Sequence, residues 1–177
     1  MAALSTGPTK ANVVYTYTGN NFTFHTSPYT ATDHVSIELE FLSALAPNLP
    51  LGAVAPVSFS FNDGHQTITS TVFGGLFLVS TNPSGAISEW DLAGCGNIGC
   101  VHVVLSRNIV GNVRDDGQLV PQGASEGIVD NNPGVWTVSV VPEPSTMAIT
   151  AVGLAGLGWC RRRRLRSRPT ALQAQRV

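Results

Sequence analysis

The side chains best suited to chemistry in this sequence are four histidines, eleven acidic residues, three cysteines and the tryptophans Trp90 and Trp136. His25, His34, His65 and His102 are scattered, without the His-x-His or His-Glu-x-x-His spacing that brings two imidazoles to one metal. Asp63, Asp115, Asp116 and Asp130 stand beside Gly or Asn, where an Asx side chain caps its own turn. An extracellular β-domain could offer the same carboxylates to calcium, but the sequence contains no twelve-residue calcium loop. Glu38 and Glu40 are two apart on one strand, roughly 7 Å by strand rise. A glycosidase could use such a pair, yet alternating acids are also what an exposed strand face looks like, and that reading is favoured. Trp90 and Trp136 could stack on sugar, although a strand tryptophan more often belongs to the core. The sequence holds no Gly-x-Ser-x-Gly elbow, phosphate loop or Ser/His/Asp grouping. The expectation is a non-enzymatic chain with no catalytic residue, no metal site and no cofactor.

Such residues must be carried by strands. Val13–Thr18 is β-branched and aromatic; Val35–Phe41 alternates apolar and polar residues, as one buried face requires. Val57–Phe61, the turn Asn62-Asp63-Gly64 and His65–Phe73 read as a hairpin, and Leu76–Ser80 with Ala86–Leu92 as a second. Cys100–Leu105 and Val135–Val140 are further strands, while 106–133 reads as irregular and polar. Eight to ten short strands without a helix imply an all-β domain, an antiparallel β-sandwich or jelly-roll-like architecture. Cys95 and Cys100 flank Gly96-Asn97-Ile98-Gly99, which permits a tight reversal. In an oxidising compartment they could form a local disulfide; a free pair is the alternative.

Charge divides the chain sharply. Residues 1–146 hold three basic residues (Lys10, Arg107, Arg114) against all eleven acids, a net of −8, whereas 147–177 hold seven arginines and no acid. A basic tail of this kind has its own partner. An apolar segment immediately precedes the arginines, so that partner is a membrane face and not nucleic acid. Pro142 and Pro144 lack amide donors and stop the sheet, and Ser145-Thr146 can cap a following helix. Met147 to Cys160 then runs 14 residues without a charge, roughly 21 Å at ~1.5 Å per residue and short of a ~30 Å hydrocarbon core. The basic cluster Arg161, Arg162, Arg163, Arg164 extends that reach by snorkelling and marks the cytoplasmic side, leaving residues 1–146 outside.

Pro142-Glu143-Pro144, an apolar segment and an arginine cluster, in that order, resemble the PEP-CTERM sorting signal of bacterial surface and secreted proteins. The resemblance covers about Val141 to Arg168. It implies recognition by an exosortase, a membrane transpeptidase-like enzyme that removes the tail, and a protein that is first in the membrane and then at the cell surface or outside. The Thr/Ser-rich body is similar to the β-domains joined to such tails, which are associated with extracellular polysaccharide and biofilm. The expected organisation is therefore an N-terminus (1–12), an extracellular β-sandwich (13–140), a sorting signal with a single short transmembrane helix (141–168) and a cytoplasmic tail (169–177). Met1–Asn12 show neither a basic n-region nor an apolar h-region, so an exported chain would have Met1 as an internal methionine of a longer reading frame. The alternative function is a carbohydrate-binding module or weak hydrolase at the cell surface.

Overall fold

The computed structural model describes residues 11–71, 74–96, 100, 102–119 and 125–142. The expected transmembrane helix, the arginine cluster, Glu143 and Pro144 lie outside the described residues. Among the described residues no helix is long and apolar enough to cross a membrane.

Twelve strands follow in chain order: β1 (Asn12–Thr18), β2 (Phe24–His25), β3 (Ser36–Phe41), β4 (Gly52–Ala53), β5 (Ser58–Asn62), β6 (Thr67–Thr69), β7 (Gly75–Thr81), β8 (Ile87–Cys95), β9 (Val103–Ile109), β10 (Asn112–Gln118), β11 (Glu126–Asp130) and β12 (Val135–Val141). They form two antiparallel sheets, one ordered β12-β1-β3-β5-β6 and the other β2-β11-β10-β9-β8-β7-β4. Side chains meet from both, with Tyr17 of the first bonded to Asp115 of the second, so the fold is an all-β sandwich. Alternation in the sequence is the cause. Val13, Tyr15 and Tyr17 are buried with Ile37, Leu39 and Phe41 beside them in register, while Thr16 and Glu38 face outward.

The described part of 106–133 is not irregular: it completes β9 and supplies β10 and β11, joined in antiparallel register. Asp115-Asp116-Gly117 is therefore mid-strand and not a turn. Val110 and Gly111 make the actual reversal, with Ile109 opposite Asn112 and Gly111 at φ 80°. Gly94, Gly117 and Gly127 share one inward-facing row with Val104. Their missing side chains make room for others: Phe61 packs over Gly94, Asp63 over Gly117 and Phe22 over Gly127. This is the close approach that a mid-strand glycine marks. Cys95, the last residue of β8, is disulfide-bonded to Cys100, with Cα atoms 5.0 Å apart.

Candidate functional site

The chain reaches Pro142-Glu143-Pro144 and the apolar segment beyond it through β12, so the groups that hold β12 come first. All seven of its residues pair with β1, from Val135 opposite Thr18 to Val141 opposite Asn12. At its start the Gly134 N–H donates to the Tyr17 hydroxyl at 2.7 Å, and Asn20 Nδ2 donates to the carbonyls of Asn132 and Pro133. A side chain at Gly134 would strike the backbone of Thr18 and Gly19. Trp136 packs against Tyr17 and Trp90, with ring centroids 5.2 and 5.7 Å away. Pro142 follows Val141, exposed and outside the ladder, as its missing N–H requires.

The Tyr17 hydroxyl passes this anchorage inward by donating to Asp115 Oδ2 at 2.8 Å. Ser106 also bonds the Asp115 carboxylate, and Trp90 Nε1 donates to Ser106 Oγ at 2.8 Å. Burial pushes the Asp115 carboxyl up to about 6, against the bonds from Ser106 and Tyr17 and the charge of His34, which lower it. Burial and the neighbouring Asp115 charge raise the Tyr17 phenol. The result is a buried polar network inside the sandwich that ties β1, β8, β9 and β10 to the start of β12.

A second buried acid ties the β5–β6 turn to the opposite sheet. Asp63 is fully buried; its Oδ1 accepts from the His65 and Gln66 amides, as the Asx reading expects. Its Oδ2 accepts from the Tyr29 hydroxyl at 2.6 Å and Gln66 Nε2 at 2.7 Å. Gln66 Nε2 also reaches the Gln118 carbonyl on β10 at 2.9 Å.

The other sequence candidates are not brought together. Glu38 is exposed; Glu40 accepts from Ser58 Oγ and Asn12 Nδ2, bonds that hold its carboxyl below the usual range. Trp90, Tyr15, Tyr17 and Tyr29 are core residues and Trp136 is half-buried, so they form no open sugar platform. His65 pairs with Asp33 at 3.0 Å. Burial at Asp33 is outweighed by the Thr30 N–H and hydroxyl and by His65, and its carboxyl is lowered. Among the described residues no three His, Cys, Asp or Glu side chains are grouped to hold a metal.

Sequence reasoning missed the outer row Asp91–Arg107–Arg114–Asp130 across β8 to β11. Arg107 Nε lies 2.9 Å from Asp91, and Arg114 Nη2 lies 2.9 Å from Asp116, so the two facing arginines are each flanked by acid. Burial raises Asp116 against that Arg114 contact. The signal for this row was the β9–β10 hairpin around Gly111.

A family model described as the PEP-CTERM protein-sorting motif matches residues 140–164. Comparison with curated proteins and with solved structures returns no match. The match begins at Val140, so its first two residues are the last two of β12.

Proposed function

From the PEP-CTERM sorting motif that this chain carries, which marks it as a target of exosortase-type sorting at a membrane, we propose a non-enzymatic exported protein of the cell surface or extracellular matrix. The β-sandwich (13–140) is the cargo and lies outside. Residues 141–168 are the signal: Pro142, Glu143 and Pro144 for recognition, Met147 to Cys160 for the membrane, and Arg161 to Arg164 on the cytoplasmic side, followed by the tail 169–177. The processing enzyme removes that tail, and extracellular polysaccharide is the setting in which the freed domain works.

The single observation that carries this reading is the motif match starting inside β12. Among the described residues every ladder pair of the sandwich lies at or before Val141, so a cut beyond that point removes none of these pairs. The buried Asp115 and Asp63 networks support a structural use of these carboxylates. No observation favours the carbohydrate-binding or hydrolase alternative, since the aromatic residues it needs are turned inward.

The test is the intact mass of the protein from cells with and without the exosortase. The expected result is a sandwich lacking the arginine-bearing tail in the first and a full-length chain in the second. A full-length tail in both would overturn the processing role, and the same comparison with Pro142→Ala/Pro144→Ala should restore the tail where the enzyme is present.

A further inference from the structure

Among the described residues, three of the four sheet edges are short. β6 has three residues, and β2 and β4 have two each. Short edges are one of the ways sheets avoid pairing with other chains. β12 is the exception: it is seven residues long, Val-Trp-Thr-Val-Ser-Val-Val, with neither a charge nor a proline inside it. Among the described residues only one side of it is paired, to β1. Val135, Val138, Val140 and Val141 are 65, 51, 63 and 44% exposed. Val138 and Val140 stand on the same sheet face as Tyr15 and Val13, their partners in register, yet remain open while those two are buried. The strand itself is neither short nor interrupted by the charge or proline that commonly blunts an edge.

We propose that β12 is a self-association edge, pairing antiparallel with β12 of a second copy of this chain. The strand is complementary to itself. Centred on a two-fold axis at Val138, full overlap sets Val138 against its own copy, Trp136 against Val140, and Thr137 against Ser139. Inner-face residues meet inner-face residues, as antiparallel pairing requires, and the pairs are aromatic with β-branched, β-branched with β-branched, and hydroxyl with hydroxyl. No like charges meet across the axis, because the strand has none. That absence favours a second copy over a charged partner, and a two-fold arrangement uses one patch on both molecules. The two five-stranded sheets then become one continuous sheet. A seven-residue edge covers on the order of 400 Å² on each copy, against the ~800 Å² of a standard interface, so the pair is reversible in dilute solution. This inference does not rest on processing of the tail.

The test uses the full chain in non-ionic detergent with Cys160→Ser, and a cysteine placed on the axis by Val138→Cys. Directly opposed residues have Cβ atoms ~4.5–5.5 Å apart, within small adjustment of disulfide reach. Under mild oxidation V138C should form a covalent dimer about tenfold faster than Thr67→Cys on the short β6 edge, which shares the same tail and so corrects for association through it. Adding Thr137→Lys/Ser139→Lys brings four ammonium groups together across the axis and should return the rate to that of T67C. Both residues are exposed and face outward, and an unchanged thermal transition checks that the fold is kept. Equal rates for V138C and T67C, or a V138C rate untouched by the two lysines, would overturn the proposal. So would capture of a different protein by V138C in cells.

Discussion

Replacing Asp115 by Asn should flatten the acid side of the stability profile. Asp115 is 2% exposed and bonded by Tyr17, and its carboxyl titrates at about 6 where an ordinary one titrates at 3.8. A raised folded value means that the folded state binds the proton more tightly than the unfolded chain. Its contribution is therefore fully present below about pH 4 and is lost as pH rises through about 6. At about 1.4 kcal/mol per pH unit, the two values differ by about 3 kcal/mol. Asn keeps an acceptor for Tyr17 but cannot ionise. Between pH 2 and pH 8 the stability of wild type relative to D115N should fall by about 3 kcal/mol. With an m-value of about 1.5 kcal/mol/M, that is a relative shift of about 2 M in the urea midpoint. Tryptophan fluorescence reads the transition, because Trp90 and Trp136 both pack on Tyr17. Asp116 is also raised by burial and contributes to both curves, so only their difference is diagnostic. A difference that stays within about 0.5 kcal/mol across this range would refute the assignment of the titration to Asp115.

Gly117→Ala places a Cβ 2.7 Å from Asp63 Oδ2, on a side chain fixed by four hydrogen bonds, and should cost about 1–3 kcal/mol in denaturant unfolding. Ala at Gly74, which has nothing within contact distance, should leave the midpoint nearly unchanged. Tyr29→Phe removes one donor from the buried Asp63 carboxylate and should destabilise by about 1–3 kcal/mol, read as a lowered thermal midpoint.

Much of the sandwich was legible because period-two alternation in β1, β3 and β5 is the direct imprint of one buried face. The turn at Asn62-Asp63-Gly64 was legible for the same local reason, since Asx capping needs only neighbouring amides. β10 and β11 were not legible. Asp115, Asp116 and Gly117 have the composition of a turn, and a buried carboxylate in mid-strand is tolerable only with distant partners: Tyr17 lies 98 residues from Asp115. Gly117 faces inward because Asp63, far away in sequence, fills its space. Such pairings leave no periodic trace. The sorting signal is the opposite case. Its order of parts reads from sequence, because a membrane and a processing enzyme act on a linear segment.

The two kinds of information meet in β12. Its start is the fixed part: Gly134 bonds Tyr17, Trp136 packs on two core rings, and Tyr17 passes the hold to Asp115 and thence to the far sheet. Its end is the loose part, with Val138, Val140 and Val141 about half exposed and one edge unpaired among the described residues. Local opening costs least where few apolar contacts are lost, so β12 should fray from Val141 backward and stop at Trp136. The sorting motif begins in that fraying half, at Val140. An enzyme that takes extended backbone can then reach the start of the motif without disturbing the core. For the same reason, a second copy paired along β12 would shelter these residues. Self-association and access to the motif therefore compete for one strand, and the acid network behind Tyr17 limits how much of that strand either can claim.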